Sequence, residues 1–306
     1  MDTFDCLAEV FRERVEAEPD RTLLLFEGRH LTRAEVFERS CRVANLPGAG
    51  DGRRVGLLAD AGPDAVAVLL GCALSGASFV GLDPQRKGAD LAEDLAKTGV
   101  DLLLVEPKYA SSLDDLTFEA FVTTERFLVL DREAPAGLVE PSESFEAALA
   151  VSRPLDPDLV PEPAETLAIT IADEGTRPVR WTNEAVLRAA RHTVEAISLG
   201  PSDLGWFGAP LSRPSSICYA IAPVLASGGA LVVGRQPSAS GFLRDAETHG
   251  CTWMTYDGQM LGDIAAHDVV LPRLRGMVGA DAPREAVAAV ADRFGCVVAD
   301  HPGMDG

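Results

Sequence analysis

The residues best placed to do chemistry lie in ITIADEGTRPVRWTNEAV, Ile169 to Val186. The pattern is an apolar run, a polar turn and the start of a helix. Such a junction can hold phosphate, because glycine amides and the free N–H groups of a helix N-terminus point at an anion. Here the turn has one glycine, Gly175, and two acids, Asp173 and Glu174, come before it. Three readings stay open from these residues: a phosphate site, a lost one, or an ordinary turn. A second candidate is Arg213, in the loop after WFGAPL. A guanidinium there could clamp a carboxylate through two parallel hydrogen bonds, or simply face solvent. With Tyr219 and Tyr256 it makes a candidate substrate pocket. Trp253 and Met254 stand beside that pocket in the sequence, but they fall on a predicted buried strand and read as core.

Other constellations are thin. His192 lies on a helix with Arg188 and Glu195 at helical spacing, His249 ends a helix and complements its dipole, and His30, His267 and His301 fall in turns and polar loops. No His-x-x-His or clustered carboxylates mark a metal site, and no GxSxG marks a hydrolase elbow. The six cysteines are scattered without a CxxC pair, mostly in apolar runs. They read as small buried hydrophobes.

Composition bounds the rest. A chain of 306 residues, 47% hydrophobic, supports one large or two moderate domains. A net charge of −20 argues against nucleic-acid binding, which needs clustered positive charge, and does not favour anionic membranes. The N-terminus lacks a signal-peptide apolar core, and no apolar run reaches a membrane span. A cytoplasmic setting is expected.

The elements that must position these residues alternate. Apolar spacing predicts a helix over Phe4–Glu16, then a hairpin around Gly28 and a helix opened by a Thr32/Glu35 capping box. Strands RRVGLLAD, SFVGLD and VDLLLVE alternate with helices GPDAVAVLLGCALSGA and KGADLAEDLAKTG. A Pro-, Glu- and Ser-rich connection, 134–163, carries one short helix near Phe145–Ala150. Strands at Leu167–Ile171, GALVVG, CTWMTY, LRGMVG and CVVAD follow, with helices over Asn183–Ser198, Ala239–His249 and Pro283–Phe294. Ser240 is a candidate cap for the second of these. Repeated βαβ units predict an α/β fold of mostly parallel sheets.

On these residues the chain resembles the large N-terminal domain of AMP-forming acyl-CoA synthetases, of the adenylate-forming superfamily. The carriers are EGRHLTRAEVFERSCRVA, the run from RVGLLADAG to VDLLLVE, and SASGFLRDAETHGCTWMTYDGQML. GLDPQRKGADLAEDL is most similar to the long-chain fatty acyl-CoA branch. The resemblance implies two stacked αβαβα-type subdomains, expected at 1–160 and 161–306. It also implies that a small C-terminal domain is absent.

The resemblance further implies a triphosphate loop of the type T-S-G-T-[ST]-G-x-P-K at Ile169–Asn183. Arg177 falls at its lysine position and Thr182 keeps a hydroxyl, whereas both glycines are lost and Asp173 and Glu174 replace neutral donors. An anion about 4 Å from another costs about 4 kcal/mol at an effective dielectric near 20. Two would erase micromolar affinity, worth about 8 kcal/mol. VGADAP matches an adenine-binding segment in part, through Gly279 and Asp281. Ser212 and Arg213 stand where an aromatic-His pair is usual. Pro302, Asp305 and Gly306 fall on an aromatic-Gly-x-Thr-Glu-Gly motif.

The expectation is an acyl-CoA synthetase-like protein without adenylation, binding an acyl or carboxylate molecule or a protein partner. No metal or cofactor is expected. The alternative is a fatty acid–CoA ligase or altered acyl-activating enzyme working with a partner subunit. ATP and Mg²⁺ belong only to that alternative, and a homodimer stays open.

Overall fold

The structure is a computed structural model and describes residues 4–113, 116, 123–130, 142–172, 177–267 and 269–301. In chain order the first half forms α1 (Leu7–Ala17), β1 (Thr22–Phe26), β2 (Arg29–Thr32), α2 (Arg33–Ala44), β3 (Arg54–Leu58), α3 (Pro63–Ser75), β4 (Ser78–Gly81), α4 (Gly88–Thr98), β5 (Leu102–Val105), β6 (Arg126–Val129), β7 (Ser142–Ser144) and α5 (Phe145–Val151). The second half forms β8 (Thr166–Ala172), β9 (Arg177–Thr182), α6 (Asn183–Ala196), β10 (Leu204–Phe207), α7 (Ala222–Ser227), β11 (Ala230–Val233), α8 (Ala239–His249), β12 (Trp253–Asp257), α9 (Gly258–Ala266), β13 (Gly276–Ala280), α10 (Arg284–Phe294) and β14 (Val297–His301).

Local chemistry explains the element ends. Thr32 and Glu35 form the expected reciprocal capping box on α2. Pro63 sits at the start of α3, where its missing N–H costs nothing. Helix α8 has the expected bounds, but Ser238 caps it, accepting from the Gly241 N–H at 3.2 Å. Ser240 lies inside the helix, its hydroxyl 3.1 Å from that of Ser238.

The strands build two seven-stranded sheets, ordered β14-β13-β12-β10-β11-β1-β2 and β7-β6-β5-β3-β4-β8-β9. Pairing is parallel except in the β1–β2 and β8–β9 hairpins. Each of those hairpins joins strands from the other side of residue 160. Leu24 of β1 pairs with Leu231 of β11, and Ala168 of β8 pairs with Phe79 of β4. Each sheet therefore ends in a hairpin taken from the other half of the chain. The apolar runs of β1 and β8 suit any parallel neighbour, so their composition does not say which sheet receives them.

Helix α3 shows why the two sheets share one core. Ala65 to Ser75 are all buried, so the helix has no polar face and must be covered all round. Gly71 lets α2 cross it closely, since a Cβ there would lie 2.7 Å from the Val43 side chain. One buried cluster runs through Leu24, Leu69, Phe79, Phe207 and Val278, drawing on both sheets. No helix among the described residues is long and apolar enough to cross a membrane.

The segment Ile169–Val186 departs from the expected strand-loop-helix. After β8 the chain turns back and Arg177–Thr182 forms an antiparallel strand, with Ile169 opposite Arg180 and Thr170 opposite Val179. The signal was the alternation Val179 in, Arg180 out, Trp181 in. Asp173, Glu174 and Gly175 lie outside the described residues, as do Pro302, Asp305 and Gly306.

Candidate ligand cleft

A cleft of about 1040 Å³ opens between the sheets. Asp83, Gly208, Asp257 and Asp281 line it, each at or just beyond the carboxyl end of β4, β10, β12 or β13. This is where open α/β sheets present ligand sites, because the loops diverge there and leave room.

One wall is the loop 208–215 between β10 and the helix that follows. Leu211 is 1% exposed and anchors it. The Ser216 hydroxyl donates to the Ala209 and Pro210 carbonyls at 3.0 and 3.2 Å. The Arg213 N–H donates to Pro210 O at 3.0 Å. Gly81 admits the loop against β4, since a Cβ there would lie 2.5 Å from Ser212 Cα and 2.6 Å from Leu211 O. The next element, Ser216–Ile221, is a π-helical turn, with the Ala222 N–H donating to Ile217 O five residues back. Pro223 has no N–H for the α-type bond to the Tyr219 carbonyl, which favours the wider turn. Such turns recur at functional sites, and this one carries Tyr219 into the cleft wall.

The cleft gathers Ser212, Arg213, Tyr219, Tyr256 and Asp281, all named from the sequence. Tyr219 is buried, and burial pushes its phenol up to about 12, so it stays protonated across the physiological range. Tyr256 lies on β12, and its hydroxyl reaches Ala299 O at 3.4 Å. Asp281 has a left-handed backbone, φ 61°, at the turn after β13. Gly279 is placed behind Tyr256, whose ring lies 2.6 Å from the site of a Cβ, so its role here is close packing. Arg177 and Thr182 fall elsewhere. Arg177 is exposed at the start of β9, and the Thr182 hydroxyl caps α6, accepting from the Ala185 N–H at 3.2 Å. Asn183 is turned inward, its Oδ1 accepting from the Leu7 N–H at 3.2 Å. Trp253 and Met254 are core, 1% and 0% exposed. Among the described residues no cluster of His, Cys, Asp or Glu could hold a metal.

Sequence reasoning did not single out three acids of the cleft wall. Asp60 accepts from the Tyr109 hydroxyl at 2.5 Å and pairs with Lys108. Asp83 Oδ1 accepts from the Gln85 N–H at 2.9 Å. Asp257 caps α9 through the Met260 N–H at 2.8 Å. An Asp immediately before the apolar run of α9 was the available signal for the last. The cations of the wall differ in how they are held. Arg86 grips buried Asp94 at 2.5 and 3.2 Å, and burial still raises the Asp94 carboxyl despite that partner. Arg235 pairs with Glu27 at 2.5 Å. Among the described residues Arg213 has only Asp83, at 4.0 Å.

A model of the AMP-binding enzyme family matches residues 11–304. The chain belongs to that family. As an AMP-binding enzyme domain it is 30% identical to the steroid-22-oyl-CoA synthetase of Rhodococcus jostii over 69% of this chain and 37% of that protein. It is 27% identical to the medium/long-chain-fatty-acid–CoA ligase FadD17 of Mycobacterium marinum over 81% of this chain and 47% of that one. The domain thus spans less than half the length of these relatives. The N-terminal domain of FACL13 from Mycobacterium tuberculosis superposes with a TM-score of 0.85 at 15% identity, covering 98% of this chain and 76% of that one. The anthranilate CoA ligase AuaEII, solved with anthranoyl-AMP, gives 0.84 at 18%, covering 99% and 60%. These structures share the two-sheet architecture.

Proposed function

We propose that this AMP-binding domain holds an acyl or carboxylate small molecule in the cleft between its sheets and does not adenylate it. The observation that carries the reading is the fate of Ile169–Asn183. Where the resemblance calls for flexible glycine amides and free hydroxyls, the described residues are committed to a hairpin. Ile169 to Ala172 pair with Arg177 to Arg180, Thr170 accepts from the Trp181 indole at 3.0 Å, and Thr182 is used as a cap. Amides already in a β-ladder are not available to an incoming phosphate. On this reading the paired residues 169–172 and 177–180 offer few donors to ATP with its Mg²⁺. The size of the cleft suits a bulky acid, in keeping with relatives named for steroid and fatty-acid substrates.

A second reading has family membership behind it: an acid–CoA ligase or altered acyl-activating enzyme completed by further sequence or a partner subunit. Titration calorimetry separates the two. Binding of a long-chain acid with no heat from ATP plus Mg²⁺ supports the first reading. Micromolar ATP binding overturns it in favour of the second.

A further inference from the structure

We infer that the outward face of α10 is a self-association surface, and that its partner is a second copy of this chain, packed antiparallel across a two-fold axis at Ala288. Of the 11 residues of α10 only Val290 is buried. Ala286, Val287 and Phe294 pack partly on the core beneath the helix. Arg284, Glu285, Ala288, Ala289 and Asp292, on the opposite side, are exposed. Both ends of the helix are fixed. Pro283 precedes it, and Gly295 closes it in a left-handed conformation, its N–H donating to Ala291 O at 2.9 Å.

The order of side chains on that face selects the partner. Residues four apart form a ridge along a helix. Arg284, Ala288 and Asp292 make such a ridge, with a cation at one end, an acid at the other and a small residue at the midpoint. A two-fold axis pairs a patch with itself, so that residue i meets j and j meets i. An axis at Ala288 therefore sets Arg284 of each copy against Asp292 of the other, and one ridge yields two ion pairs. The alanine at the crossing lets the helices approach closely, because the interaxial distance follows the side chains at the contact. Among the described residues neither Arg284 nor Asp292 makes an ion pair. The neighbouring ridge, Glu285, Ala289 and Arg293, has the reverse order, but Arg293 already donates to Ala265 O at 2.8 Å. Charge also selects the place. The chain carries −20, so two copies repel, yet Arg284, Arg293, Glu285 and Asp292 cancel on α10. A partner of a single sign would meet both signs there, whereas a second copy matches them. A helix of 11 residues is about 16 Å long. The contact is thus smaller than a standard interface of about 800 Å² per partner, and the dimer is weak.

Sedimentation equilibrium of the full chain, from micromolar to millimolar concentration, tests this. The parent should show a reversible monomer–dimer equilibrium. Arg284→Glu and Asp292→Arg should each weaken it roughly tenfold, because each turns two attractions into two repulsions. Both changes in one chain should restore the dimer, since the pairs form again with their signs exchanged. The two single variants should associate with each other more tightly than either does with itself. Asp292→Arg separates the local pairs from overall repulsion: it makes the chain less acidic and should still weaken the dimer. Both positions are exposed, so each variant should keep the parent's Tm. A chain that stays monomeric throughout overturns the inference. So does a dimer that neither single change weakens, or a weakening that the double change does not restore. None of these outcomes bears on the reading of the cleft.

Discussion

Replacing Gly81 by alanine tests whether the cleft wall is held by contact between the two sheets. The added methyl would sit 2.5 Å from Ser212 Cα, 2.6 Å from Leu211 O and 2.9 Å from Ser212 N. Carbon atoms pack at about 3.5–4.0 Å, so the chains must part by about 1 Å. All three neighbours are backbone atoms of a tied loop, and no side chain can rotate away to absorb the overlap. Overpacking of this kind costs about 1–3 kcal/mol. For a chain of this size that is a loss of roughly 2–6 °C in Tm. Gly50→Ala is the control, because nothing lies within 4 Å of its Cβ position. It should stay within about 0.5 kcal/mol of the parent, as surface substitutions do. Thermal denaturation of the two variants reads the difference, and a crystal structure of Gly81→Ala reads the loop. A Gly81→Ala protein with unchanged Tm and Ser212 in its original place would refute the argument that this contact positions the wall.

Three further outcomes follow from the same geometry. Thr182→Ala should cost about 1 kcal/mol in urea unfolding, the usual value of an N-cap, without altering any nucleotide affinity the protein has; an affinity loss without a stability loss would return the hydroxyl to a phosphate role. Asp203 accepts from Thr252 at 2.7 Å, Gly200 N at 2.8 Å and Arg275 at 2.5 Å. Burial raises its carboxyl, but the Arg275, Thr252 and Gly200 bonds outweigh this and the net shift is downward. Its stabilisation is therefore complete above the unfolded value of about 3.9 and lost as pH falls through the lower folded value. Asp203→Asn should destabilise by about 2 kcal/mol at pH 7 and flatten the acid limb of the stability curve, and an unchanged limb would exclude this carboxylate. All six cysteines are buried, and burial pushes the Cys41, Cys218 and Cys251 thiols up to about 12. A thiol reagent at pH 8 should label none until the chain unfolds, because the thiolate is the reactive form.

Much of the fold was legible because its signals are local. The Thr32/Glu35 box, Pro63 at the start of α3 and the bounds of α8 each depend on a few neighbouring residues. The exchange of hairpins was not, because Leu24 against Leu231 and Ala168 against Phe79 are partners chosen across the chain. Any apolar strand offers the same ladder of N–H and C=O groups, and only the packing of the whole core selects among them.

The same distinction explains the site. Arg213, Tyr219 and Tyr256, singled out for chemistry unusual in an apolar stretch, line the cleft, whereas Arg177 and Thr182, singled out through a motif, lie on β9 outside it. Strand β9 answers to the alternation of Val179, Arg180 and Trp181, and that alternation turns the segment into sheet. Asp83 and Gly81 entered the sequence reading only within GLDPQRKGADLAEDL, as carriers of the resemblance and with no role in the site. Their importance comes from facing a loop about 130 residues away, in the other half of the chain. The cleft is thus a consequence of the sheet exchange. β8 joins β4 in one sheet and β1 joins β11 in the other, so the carboxyl ends of both sheets stay on one shared core. Loosening that core should widen or misalign the wall at Ser212 before it unfolds either sheet.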